Sequence, residues 1–199
     1  MPTVNDSVLA NMGTGQSIQS SAPLHAALIH VPFVFLASSF FLNSFQLIPA
    51  FPNALVSTGL VSTGVSMKDF AKVSGVMNKV GLLGAVPAVA TGLCELYALY
   101  RIHTETHPAQ QEFTAPKLKA AMTHAGLMDA AIGVGAWNWW ASRGQGFLPR
   151  RNAIVSTLAL PIILYSAHIG GKLAYAYGVG VQRQGLGFEF KQKQEQKSK

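Results

Sequence analysis

Between Asp6 and Lys68 the chain contains no Asp, Glu, Lys or Arg. A stretch of that length on a water-facing surface would need charges for solvation, so its solvent is lipid. The rest of the chain agrees: of 199 residues, 49% are hydrophobic and 12% charged, against about a quarter charged in an ordinary soluble protein. Four apolar segments can be marked, at 24–45, 80–100, 120–141 and 153–172. Each is near the ~20 residues that a helix needs to cross ~30 Å of hydrocarbon. They predict an all-α fold, a polytopic membrane four-helix bundle over 24–181, and hence an integral, multi-pass membrane protein. The segment 48–67 is moderately apolar but opens with two prolines and carries many Ser, Thr and Gly, which predicts a re-entrant or surface segment rather than a fifth span.

The ends differ in character. Residues 1–23 have no Lys or Arg, so they lack the positive flank of a secretory signal and the arginines of a transit peptide, and they read as a polar tail. Residues 182–199 end in FEFKQKQEQKSK, highly charged with little apolar surface to bury, which predicts a basic disordered tail. Such a tail beside a membrane answers anionic headgroups, and no nucleic-acid module is visible. Cys94 is alone, which excludes an intramolecular disulfide. No nucleophile elbow, phosphate loop or zinc-protease motif occurs, so no catalytic residue is assigned and a stand-alone enzyme is not expected.

Four consecutive spans fix which helix ends share a membrane face. With the face where the first helix begins called X and the other Y, His25 and His30 lie within one to two turns of X, and His124 lies about one turn into the third helix from X. His168 lies about one turn before the X end of the fourth, and His103 and His107 fall in the X-side loop. All six histidines therefore map to one leaflet. Polar side chains inside a membrane face the bundle interior, so His30, His124 and His168 are expected to converge, with His25 nearby; imidazoles in that setting can ligate a metal or haem iron. The plainer alternatives are an interfacial His25, a His30 bonded to a backbone carbonyl near Pro32, and a His124–Asp129 hydrogen bond. Met128 lies one turn beyond His124. Glu95 and Asp129 are costly in the bilayer unless paired or neutral, and the imidazoles supply partners. Arg101, Lys117, Lys119 and Lys172 gather at X, where haem propionates or lipid phosphates would be satisfied. Lys and Arg near the spans are almost balanced between the faces, and only the tail lysines favour X toward the cytosol or matrix.

Gly84, Ala88 and Gly92 form a small-residue stripe on the second helix, read as a packing face. Pro87 and Pro161 fall inside helices, where kinks are expected. Trp137, Trp139 and Trp140 at Y, with Tyr97, Tyr100, Tyr175 and Tyr177 at X, suit aromatic belts.

LHAALIHVPF (24–33), His124 at the head of the third helix and IGGKLAYAYGVGV (169–181) together resemble the DUF2231 family of predicted membrane proteins. The first is similar to that family's "HP…HFP" opening and the last to its closing "GG-x-L-V-Y-x-x-G-V-G-V". The chain departs in having Ala26 where proline usually follows the first histidine, and Met128 where asparagine is common. The family's occurrence with c-type cytochrome modules implies a redox setting, carried here by His25, His30 and His124.

The leading expectation is a membrane protein that holds b-type haem between helices for electron transfer or redox sensing. His30 and His124 are the first axial or metal ligands, His25, His168 and Met128 the further ones, and Glu95 and Asp129 the supporting polar groups. The alternatives are a metal- or proton-handling membrane protein and a non-catalytic membrane subunit with hydrogen-bonded histidines. Expected partners are the lipid bilayer, a cytochrome or other redox protein, and a second copy of the chain.

Overall fold

The computed structural model describes residues 24–48, 50–59, 66–105, 108–143 and 148–177. The tails expected at 1–23 and 182–199, His107 and positions 178–181 of the closing motif lie outside the described residues. The elements are α1 (Leu24–Leu28), α2 (His30–Phe45), α3 (Phe51–Ser57), α4 (Met67–Glu105), α5 (Pro108–Ala141) and α6 (Arg150–Tyr175), with no strand among the described residues.

The first apolar segment is helical over its expected range but interrupted at Ile29. Pro32 is the reason: without an N–H it cannot donate to the carbonyl of Leu28, and its ring crowds that carbonyl. The segment expected to be re-entrant or superficial contains α3, with Pro52 in its first turn, where a missing N–H costs nothing. Helices α4 and α5 begin well before the expected positions 80 and 120. Ser66 donates to Asp69 Oδ2 through both its N–H (2.9 Å) and its hydroxyl (2.7 Å), closing the first turn of α4. With 39 residues α4 is about 58 Å long, roughly twice the ~30 Å hydrocarbon layer; apolarity marks the membrane's thickness, not the helix's length.

Among the described residues three helices are long and apolar enough to cross a membrane: Leu24–Phe45, Met67–Arg101 and Arg150–Tyr175. The expected fourth span, on α5, is long enough at 34 residues but is not among them. Lys117, Lys119, Asp129 and Asn138 dilute its apolarity, and its place beside the spans is set by packing.

The described residues form two compact units, one drawn from 24–30, 86–126 and 166–177, the other from 31–85 and 127–165. In the second unit Leu36 and Phe40 of α2, Met128 and Ala131 of α5, and Ala159 and Ile163 of α6 make the apolar core, with Leu82 of α4 against it. Glycine lets the backbones close up. A Cβ on Gly81 would lie 2.8 Å from Leu36 Cγ, and one on Gly84 2.6 Å from Val31 Cγ1.

Beside this apolar core the unit also buries polar side chains and turns apolar ones outward. Ser39, Asn43, Ser74, Asn78, Asn138, Asn152 and Ser156 are buried, whereas Leu83 is 73% and Leu158 64% exposed. That inversion suits hydrocarbon, where no water bonds to outward polar groups and each must find a partner inside. Most find one, while Asn78 Oδ1 and Asn152 Oδ1 are buried without a hydrogen-bond partner among the described residues. Ser74 Oγ bonds Ser39 Oγ (3.1 Å) and donates to Asn43 Oδ1. Asn43 Nδ2 and Asn138 Nδ2 donate to Ser156 Oγ at 3.2 and 2.8 Å, Asn152 Nδ2 donates to Asn138 Oδ1 at 3.2 Å, and Asn78 Nδ2 donates to the Gly135 carbonyl at 2.9 Å. The network ties α2, α4, α5 and α6 together. At its Y end the Arg143 guanidinium stacks on Trp139 (3.7 Å) and Trp140 (4.6 Å), the aromatic belt with its cation.

Candidate functional site

Two histidines of the first unit are held in the same way. His25, on α1, donates Nδ1–H to the carbonyl of Ala88 on α4 at 3.0 Å, with Thr91 Oγ1 at 3.3 Å. His124, on α5, donates Nδ1–H to the carbonyl of Ser166 on α6 at 2.8 Å, with Ser166 Oγ at 3.0 Å. In each case the residue four positions beyond the accepting carbonyl is glycine. A Cβ on Gly92 would lie 2.8 Å from His25 Cε1, and one on Gly170 2.9 Å from His124 Cε1. One turn of helix thus supplies an acceptor and a bare backbone surface, and the imidazole lies against that surface.

The hydrogen bonds fix the chemistry of the rings. A carbonyl oxygen can only accept, so the bonded Nδ1 carries the hydrogen and the neutral ring keeps its lone pair on Nε2. The Ser166 hydroxyl closes the arrangement by donating to the His124 carbonyl at 3.1 Å. On α4, Thr91 Oγ1 donates to the carbonyls of Pro87 (2.9 Å) and Ala88 (3.1 Å), leaving its lone pair toward His25. Both rings are half-buried. Two anchored imidazoles with free Nε2 lone pairs can ligate a metal or accept a proton. A ring nitrogen bonded to a backbone carbonyl is the support that metal-ligating histidines ordinarily have.

The other expected residues are distributed differently. His30, the first residue of α2, is exposed and turns back to α1, its Nδ1 2.6 Å from the Ala26 carbonyl. His168 is exposed between the buried Ser166 and Ile169. The expected convergence of His30, His124 and His168 is therefore not what the structure displays; His25 takes the place given to His30. The depth read from the sequence was common to both, but the azimuth was not, because helical phase cannot be carried across the break before Pro32. Among the described residues no group of three or more His, Cys, Asp or Glu is placed to hold a metal ion.

Met128 packs in the apolar core of the second unit, and Asp129 is exposed on α5 in that same unit, so neither belongs to the imidazole seats. Glu95 is half-buried in the first unit. Four residues beyond Thr91 and three beyond Gly92, it lies on the side of α4 that holds His25. Arg101 and Lys117 are half-buried, and Lys119 and Lys172 are exposed, all in that unit; the Lys172 ammonium lies 5.8 Å from the Tyr177 ring centroid. His103 is half-buried near the end of α4.

Sequence reasoning passed over the residues that build the seats. Gly92 was expected to serve helix packing, and it serves an imidazole. The signal was present as a pair of spacings, Ala88 with Gly92 and Ser166 with Gly170, but it acquires meaning only once a histidine faces it. The buried network of the second unit was also missed, although Ser39 with Asn43, Ser74 with Asn78 and Asn152 with Ser156 are each four apart on one helix face. That network borders a cavity of about 300 Å³ lined by Ser39, Asn43, Ser74, Asn78 and Asn138.

A family model described as "Predicted membrane protein (DUF2231)" matches residues 21–183, and so includes both histidines and both glycines of the seats. No curated protein and no solved structure matches the chain.

Proposed function

The chain belongs to the DUF2231 family of predicted membrane proteins, and as an integral membrane protein of that family we propose that it binds b-type haem through His25 and His124 and serves electron transfer or redox sensing. The observation that carries this reading is the repeated seat: each ring gives Nδ1–H to a backbone carbonyl, lies over a glycine and keeps Nε2 for a ligand. Bound haem would supply one-electron chemistry at its iron. The protein's part is to fix the two donor nitrogens, to surround them with apolar helix, and to offer Arg101, Lys117, Lys119 and Lys172 as counter-charges for propionates. His30 and His168 stand outside the ligand pair in this reading.

A second reading is proton handling between the imidazoles, supported by Glu95 on the His25 side of α4. One preparation separates the two. The full chain, expressed with ample haem and purified in mild detergent, is expected to show a Soret band that His25→Ala and His124→Ala each remove or shift. A colourless wild-type preparation overturns the haem reading and leaves the proton-handling one.

A further inference from the structure

The cavity of the second unit is lined by buried side chains with unspent hydrogen-bonding capacity. Asn43, Asn78 and Asn138 border it and are 3%, 4% and 2% exposed. An amide group has two N–H donors, and each of the three spends one within the described residues: Asn43 and Asn138 on Ser156 Oγ, Asn78 on the Gly135 carbonyl. Three amide N–H groups are left over. Asn78 Oδ1 is left over as well, a buried acceptor with no partner among the described residues, which is unfavourable unless a donor reaches it.

The charge around the cavity has one sign. Lys72 and Lys79, two turns apart on α4, line it, and no Asp or Glu is among the described residues that do. Lys72 Nζ is 3.9 Å from Asp69 Oδ1, but both side chains are exposed, and such a pair holds an ammonium weakly. The lining also includes Trp139 and Ser142 at the end of α5, and Trp139 with Trp140 carries the Arg143 guanidinium. Tryptophans in such a belt mark the membrane–water interface, so the lining reaches the level of lipid headgroups.

Unspent amide donors, two ammonium groups and no carboxylate call for an occupant that is negatively charged and rich in acceptors. At about 300 Å³ the cavity stands at the lower end of small-molecule sites. We propose that it binds a phosphate ester carrying a hydroxyl group. The phosphate oxygens accept from the Lys72 and Lys79 ammonium groups and from the unspent amide N–H groups, and the hydroxyl donates to Asn78 Oδ1. A phosphate suits this donor set better than a carboxylate because it presents more acceptor oxygens. A lipid headgroup and a soluble ester share this chemistry, and both reach the interface. The inference does not depend on haem binding, since it uses no residue of the imidazole seats.

The full chain in mild detergent is titrated with glycerol 3-phosphate as the soluble probe and, separately, with phosphatidylglycerol in mixed micelles. Each is set beside a comparison that keeps the phosphate and lacks the hydroxyl, methyl phosphate and phosphatidylcholine, at about pH 8, above the second phosphate ionisation. All three tryptophans of the chain lie within 137–140, so intrinsic fluorescence reads the surroundings of the cavity. A saturable change is expected: a response to glycerol 3-phosphate makes the source a soluble ester, and a response to phosphatidylglycerol alone makes it the membrane. Lys72→Gln combined with Lys79→Gln is expected to weaken binding at least about tenfold, the worth of one charge-assisted hydrogen bond. Lys68→Gln with Arg150→Gln removes the same charge from residues that do not line the cavity, and is expected to weaken binding less than about threefold. All four side chains are exposed, so the folded state is expected to be unchanged. No saturable response to either hydroxylated probe, equal weakening by the two pairs of substitutions, or comparison probes that bind as tightly would each overturn the proposal.

Discussion

The imidazole of His124 rests on the backbone of Gly170, four residues past the Ser166 carbonyl that holds its Nδ1–H, and a methyl group at position 170 would lie 2.9 Å from its Cε1. His25 repeats the relationship with Gly92 and Ala88. A ring lying against a helix gains dispersion contacts and places its hydrogen bond on an oxygen already used by the helix. The cost is that no larger residue fits beneath it.

Gly170→Ala is expected to destabilise the fold by about 1–3 kcal/mol, since the ring must move or leave its carbonyl. Gly171→Ala is the control: nothing lies within 4 Å of the added methyl, and replacing glycine in a helix is neutral or mildly stabilising. Thermal unfolding of the two variants in detergent checks the difference, which vanishes if the seat is not what fixes position 170.

Ser166→Ala removes the hydroxyl that bonds His124 twice, to Nδ1 and to its carbonyl, but leaves the main acceptor at 2.8 Å in place. The expected loss is about 1 kcal/mol, that of an ordinary hydrogen bond. Thr91→Val, which removes a longer contact of 3.3 Å to His25, is expected to cost less. Chemical denaturation of the two variants side by side ranks them.

In the second unit, Asn138→Leu removes the donor to Ser156 Oγ and the acceptor for Asn152 Nδ2 together. Leaving a buried amide donor without a partner costs about 1–3 kcal/mol. Leu36→Ala, at a site with no exposed surface, is expected to cost about 2–5 kcal/mol through the cavity it leaves. The same unfolding measurement on both variants sets the polar network against the apolar core.

Much of the fold is written in the chain as hydropathy. The charge-free run after Asp6 and the apolar stretches mark helices that cross a membrane, and the first segment is helical over the expected 24–45 apart from Ile29. The extensions of α4 and α5 into polar sequence were not marked, because Lys68, Lys72 and Lys79 of α4 and Lys117 and Lys119 of α5 lower the local hydropathy without disqualifying a helix. Of the site, the sequence suggests only a level in the bilayer, since position along a spanning helix sets depth. Which imidazole faces inward depends on helical phase, and the missing N–H of Pro32 interrupts that phase between His25 on α1 and the residues of α2. The seats were illegible for a different reason: a glycine four residues after a carbonyl is common in membrane helices, and only the ring that lies on it distinguishes its use.

Titration of ferric haem into the purified full chain, followed at the Soret band, tests the central claim most directly. Wild type and His30→Ala are expected to bind one equivalent and give a low-spin, six-coordinate spectrum, while His25→Ala and His124→Ala each give a five-coordinate, high-spin spectrum or no binding. The same spectrum from all four proteins, or loss of binding in His30→Ala alone, would contradict the assignment of His25 and His124 as the ligand pair.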